Sequence, residues 1–128
     1  MTQTNQPTIT DTLTAFLRTM HGANKSEATI TAYRIDLSQF AHFLAETNIT
    51  ISTPADIRRG DIAEYLAHLA EQGISGNTRA RKLAAIREYF RFLECEGLVG
   101  SNPTLGVQTP KKERGSRTAL RSDEYTKL

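Results

Sequence analysis

Arg79, Arg81, Lys82 and Arg87 crowd the first turns of the stretch "NTRARKLAAIREYFRFLECEGLVGSNP", Asn77 to Pro103. Cations gathered on one helix suit the holding of anions, phosphates above all. Residues suited to bond making are scattered. His21, His42 and His68 are far apart and none begins an H-E-x-x-H metal site, so each is assigned to surface or packing. Cys95 follows Phe92-Leu93 with no histidine near it in sequence, which favours packing over nucleophilic attack. No nucleophile elbow or phosphate-cradling glycine loop occurs. Glu94 and Glu96 fall on a helix flank, where solvation is the default. We therefore expect no catalytic residue, no metal and no cofactor in this chain.

The 128 residues amount to one domain, or one domain with a tail, long enough to bury a core without staples. A formal net charge of +2 makes the placement of charge, not its total, the clue to a partner. One cysteine rules out an internal disulfide and a cysteine-built zinc site. No apolar run approaches the roughly 20 residues of a membrane span. The start "MTQTNQPTIT" lacks the order of a signal peptide. These features lead us to expect a soluble, cytoplasmic protein with no membrane partner.

Apolar residues recur at helical spacing in four blocks, and none alternates at period two. Ile9, Leu13, Phe16, Leu17 and Met20 form the first stripe, with Thr8 or Thr10 as its cap and Gly22 as its end. The second starts at Ser26, a cap without a full capping box, and runs through Ile30, Tyr33, Leu37, Phe40 and Leu44. Asp61 is expected to cap the third, whose face is Ile62, Tyr65, Leu66 and Leu69 before Gly73. The fourth carries Leu83, Ile86, Phe90 and Leu93 and ends at Gly97, with Asn102-Pro103 beyond. The fold class expected is all-α, a compact bundle of four main helices. After Pro103 periodicity stops, and Lys111, Lys112, Arg114, Arg117 and Arg121 face only Glu113, which is linker composition. The expected organisation is a flexible N-terminus over 1–8, a helical domain over 9–104, a basic linker over 105–121, and the start of a further domain over 122–128.

At about 100° per residue, the side of the fourth helix opposite its stripe holds Arg81, Ala84, Ala85 and Glu88. Thr78 and Lys82 fall on one shoulder and Arg87 on the other. Short side chains let a helix axis come close to a partner, and flanking cations reach sideways. A DNA major groove about 12 Å wide accepts such a helix between phosphate-lined walls. The second helix repeats the design with Ala28, Thr31, Ala32 and Ile35, Lys25 at its start and Arg34 on its shoulder. Its N-terminus, with Ser26 and Thr29, can offer N–H groups and hydroxyls to a phosphate. On the residues alone a blander reading stays open, because Arg, Lys and Ala fill surface helices by propensity. Arg34 would then pair with Glu27 or Ser38, and Arg87 with Glu94 or Glu88.

"KSEATITAYRIDLSQFAHFL" resembles the segment S-x-x-T-x-x-x-Y-x-x-D-L-x-x-F-x-x-F-L of tyrosine recombinases, the phage-integrase and Xer-like family. Ser26, Thr29, Tyr33, Asp36, Leu37, Phe40, Phe43 and Leu44 fill its places. The Asn77–Pro103 stretch is similar to a second signature of that family, through Thr78, Arg81, Leu83, Ile86, Arg87, Tyr89, Phe90, Phe92, Leu93, Gly97, Asn102 and Pro103. "TPKKERGSRTALRSDEYTKL" looks like the family's linker and the opening of its catalytic domain. The resemblance covers about Ile9 to Leu128 and implies an N-terminal core-binding domain with a SAM-like bundle. Such a domain forms half of a clamp around double-stranded DNA and acts beside other recombinase protomers. The resemblance places DNA contacts on Lys25, Ser26, Thr29, Thr31 and Ala32, and on Asn77, Thr78, Arg81, Lys82 and Ala85, with Arg87 on a phosphate. To these we add Arg34 from the second helix and Lys111, Lys112 and Arg114 from the basic segment. The family's tyrosine chemistry belongs to a domain whose H-x-x-R box does not occur here. The expectation is a DNA-holding piece of a recombinase, monomeric when free and not itself an enzyme. A stand-alone helical DNA-binding regulator and a helical protein-interaction module are the alternatives.

Overall fold

The computed structural model describes residues 6–48 and 50–111. Its helices are α1 (Ile9–Gly22), α2 (Glu27–Thr47), α3 (Arg59–Glu71) and α4 (Gly76–Cys95), with one 3-10 turn at Pro54–Asp56 between α2 and α3. No strand occurs among the described residues. The all-α bundle of four main helices expected from periodicity is the fold observed. Residues 112–128, including Lys112, Arg114 and the expected start of a further domain, lie outside the described residues, as do residues 1–5.

Caps fix the helix starts. Thr8, not Thr10, begins α1: its Oγ1 accepts from the Asp11 N–H at 3.0 Å, and the Asp11 carboxylate accepts from the Thr8 N–H at 3.3 Å. Ser26 Oγ accepts from the Thr29 N–H at 3.1 Å, and Ser75 Oγ from the Thr78 N–H at 3.2 Å. Asp61 is not the cap of α3. The helix starts two residues before it, and Asp61 accepts from the Arg58 N–H at 2.8 Å from inside the first turn. Between α2 and α3, the Ser52 and Thr53 N–H groups donate to Asp56 and hold its carboxyl below the usual range.

The ends of α1, α3 and α4 share one device, a left-handed residue just past the helix. Gly73 and Gly97 take φ of 82° and 72°, and the following N–H groups of Ile74 and Leu98 reach back to the carbonyls of Leu69 and Leu93. At the end of α1 the left-handed residue is Asn24, at φ 64°, while Gly22 stays within the helix. Asparagine tolerates this conformation better than most residues with a Cβ.

α4 is the centre of the bundle and touches α1, α2 and α3. Its buried surface is therefore much broader than the stripe Leu83–Ile86–Phe90–Leu93, and takes in Ala80, Lys82, Ala85 and Tyr89 as well. Tyr89 is fully buried, and its hydroxyl shares a 2.6 Å hydrogen bond with Thr12 Oγ1 of α1. The Phe16 ring packs against Tyr33, Tyr89 and Phe92, and the Tyr65 ring against Phe40 and Phe43.

Beyond α4 the chain folds back onto the bundle. Asn102 Oδ1 accepts from the Thr104 N–H and hydroxyl, and Thr104 and Val107 are both buried. Arg87 donates to the Val107 carbonyl at 2.7 Å and to Thr109 Oγ1 at 2.8 Å. The Lys111 carbonyl comes so close to Gly76 that a Cβ there would overlap it. Residues 105–111, read from composition as the first part of a linker, thus form a strap across α4.

Burial pushes the Tyr65 phenol up to about 12 and the Tyr89 phenol to about 12, the Thr12 hydrogen bond opposing the rise at Tyr89. A raised folded-state value means that this stabilisation is complete below the ordinary value of 10 and is lost as pH climbs from 10 towards 12. An ultraviolet titration of the phenols should show Tyr65 and Tyr89 ionising late, towards 12. Helical circular dichroism should fall over that same window rather than below it.

Candidate nucleic-acid interface

Two helices carry the expected contacts, and a buried carboxylate decides how they meet. Asp36, midway along α2, is 3% exposed. Arg81 grips it with both edges, Nε to Oδ2 at 3.2 Å and Nη2 to Oδ1 at 3.0 Å. Lys82 Nζ also donates to Oδ1, at 3.0 Å, and to the Gln39 side-chain oxygen. An ionised carboxylate is tolerated inside a fold only when paired and hydrogen-bonded in this way. Farther back along α2, Tyr33 has its phenol pushed up by burial first, then by the charges of Glu88 and Asp36. The middle of α2, at Asp36 and Gln39, thus meets the early part of α4 at Arg81 and Lys82.

The guanidinium of Arg81 bridges the outer edges of both helices. Its side chain is 59% exposed although Asp36 anchors it. Neighbours on a helix surface lie three or four residues apart. Arg81 is thus flanked by exposed Asn77 and Ala84 along α4, and Asp36 by exposed Ala32 along α2. Thr31, Arg34 and Ile35 continue the outward side of α2, Ile35 being 49% exposed. Exposed Thr31, Ala32, Asn77 and Ala84 thus form an outer strip of short side chains on two helices joined by a fixed cation, with Lys25 and Arg34 also exposed on or before α2.

Not every expected contact lies on that strip. Lys82 and Ala85 were placed outward by periodicity, but both are buried, because α4 is enclosed by three helices rather than one. Arg87 is half-buried and engaged with the strap, not paired with Glu94 or Glu88. Glu88 lies 3.6 Å from Arg91 instead. Neither suggested partner of Arg34 is in place: Glu27 approaches His21 at 3.9 Å, and no ion pair of Arg34 occurs among the described residues. Ser26 and Thr29 remain accessible, Thr29 in part, but the Ser26 hydroxyl donates to Thr29 Oγ1 while capping α2. Thr78 is half-buried, and the exposed Lys111 sits on the strap beside Gly76.

The side chains set aside as non-catalytic are dispersed over the fold. Cys95 is exposed rather than packed. His42 lies 3.7 Å from Glu46, and His68 packs its ring on Phe43. Among the described residues no three His, Cys, Asp or Glu side chains come together as a metal site, and no helix is long and apolar enough to cross a membrane. The residue that sequence reasoning missed is Asp36, matched as a motif position but given no role. One signal was there: position 36 falls on the same helical seam as Tyr33, Leu37 and Phe40, where an acid must find a buried cation.

A helix pair joined by the Asp36–Arg81–Lys82 cluster, set in a four-helix bundle, defines the class of this helical domain. Residues 13–97 match the family model described as phage integrase, N-terminal SAM-like domain, and the chain belongs to that family. Over 115 residues it is 34% identical to tyrosine recombinase XerD of Rhizobium meliloti, and over 108 residues 36% identical to tyrosine recombinase XerC of Neisseria gonorrhoeae. These alignments take in 89% and 83% of this chain but 36% and 35% of the relatives, so the chain spans about a third of their length. Among solved structures, a lambda integrase dimer bound to a COC′ core site superposes with a TM-score of 0.74 at 16% identity, over 86% of this chain and 30% of that one. At that identity the likeness concerns the fold, which is the SAM-like bundle of integrases.

The buried ion cluster makes a thermodynamic demand. Replacing Asp36 by Ala strands Lys82 as an uncompensated buried charge, which should cost about 3–5 kcal/mol in a urea unfolding series. Replacing Arg81 by Ala leaves Asp36 paired with Lys82 and should cost clearly less.

Proposed function

We propose that this chain is the DNA-holding N-terminal domain of a site-specific tyrosine recombinase. It lays the outer strip of α2 and α4 into the major groove of duplex DNA and positions a catalytic domain for strand exchange. The observation that carries this reading is the exposed Arg81 guanidinium, locked by Asp36 between two small-residue helix faces. Slim faces admit the groove floor and the cations meet its phosphate walls. The family membership and the lambda integrase dimer bound to its core site support the same reading.

In this proposal Asn77, Thr78, Arg81, Thr31 and Ala32 face the groove, with Lys25, Ser26, Thr29 and Arg34 on the adjoining backbone. Lys82 and Ala85 underlie the strip. Arg87 acts through the strap, on which exposed Lys111 adds a cation, and Lys112 and Arg114 are proposed contacts that follow it in sequence. The reaction itself belongs to the part of the relatives beyond the matched third, so the chain contributes binding and orientation rather than chemistry. Free in the cytoplasm it is a monomer, and on DNA it works beside other recombinase protomers.

Binding carried by phosphate contacts is strongly salt-dependent, the logarithmic slope growing by about 0.9 for each phosphate neutralised. Fluorescence anisotropy of the 128-residue chain with a labelled mixed-sequence duplex should give such a slope. Arg81→Ala should weaken binding and lower the slope by about 0.9. Absence of binding even at low ionic strength would overturn the proposal.

A further inference from the structure

We infer that Asp36, a buried acid, strengthens the grip of this domain on polyanionic DNA by positioning Arg81; the inference rests on the function proposed above. Asp36 takes the Nε and Nη2 edges of the Arg81 guanidinium, and Nη1 makes no hydrogen bond among the described residues. The planar fork can rotate only about the long side chain, so fixing two of its edges fixes the direction of the third. A free arginine at this exposed position would sample many rotamers and lose that freedom on binding. Held by Asp36, its direction is set before DNA arrives.

Lys82 completes the device. A carboxylate paired with Arg81 alone would cancel the charge that the strip offers to phosphate. The Lys82 ammonium, 7% exposed and 3.0 Å from the same Oδ1, supplies the second positive charge from beneath. The cluster of one acid and two bases therefore keeps a net positive charge, and only the guanidinium reaches solvent to a substantial extent. Arg81 is aimed by Asp36 without being neutralised, and Lys82 serves the interface without touching it.

The two possible roles of Asp36 predict opposite signs. If its charge alone mattered, Asp36→Asn would remove repulsion with DNA and tighten binding. As a positioning residue, Asp36 makes the same substitution weaken binding. The test is the affinity of the full chain for a mixed-sequence duplex, with folding checked by circular dichroism. We expect Asp36→Asn to weaken binding roughly tenfold, the scale of one charge-assisted contact, and to lower the salt slope. In an Arg81→Ala background the same substitution should no longer weaken binding or lower the slope, a non-additivity that a general loss of structure would not produce.

Should Asp36→Asn fail to fold because Lys82 is orphaned, Asp36→Asn with Lys82→Met decides. That pair keeps the wild-type net charge and removes only the clamp, and it should show the same loss. Unchanged or tighter binding by these variants, or an equal loss with and without Arg81, overturns the inference while leaving DNA binding by the domain intact. Failure of the unaltered chain to bind any duplex removes the function proposed above, and this inference with it.

Discussion

Asp36 sits where two requirements meet, since its carboxylate is buried between α2 and α4 and yet ends at an exposed guanidinium. The interior requires a counter-charge, which Lys82 supplies with help from Gln39. The surface requires an oriented cation, and the bidentate grip on Arg81 provides it. Removing a buried pair in favour of apolar residues is often neutral or stabilising in other folds. Retaining three charged groups here is therefore better explained by what they do to the outer face than by stability alone.

α4 gives the cluster its rigidity. Leu83, Phe90, Leu93 and Tyr89 are wholly buried among the other helices, so the backbone from which Arg81 and Lys82 project cannot shift independently of the core. The Tyr89–Thr12 hydrogen bond joins α4 to α1, and the strap closes over its first turn at Gly76. Arg87 holds that strap by the Val107 carbonyl and the Thr109 hydroxyl. The strap thus brings Lys111 beside the first turn of α4, the helix that also carries the outer strip.

Much of this was legible in the sequence. Four helical periods, the Ser26 cap and the αL glycines Gly73 and Gly97 are local properties, and local physics sets them. Burial around α4 was not legible, because a periodicity plot assumes one buried face and cannot know that three helices surround this one. Lys82 and Ala85 were misplaced for that reason. Asn24 took the turn assigned to Gly22 because the choice depends on where the last helical hydrogen bond forms, not on which residue is most permissive. Val107 lies in a stretch without period, so nothing local marked it as core. The partners of Arg87 are 20 and 22 residues away in sequence, beyond any helical spacing rule.

The central claim is that one clamped strip, shared by α2 and α4, is the surface that meets DNA. A backbone amide NMR titration of the chain with a short mixed-sequence duplex examines that surface residue by residue. The account predicts saturable shift changes concentrated at Thr31–Ile35 and Asn77–Ala84, with little change on the outer faces of α1 and α3. Changes centred on α1 or α3, with the strip silent, would contradict it.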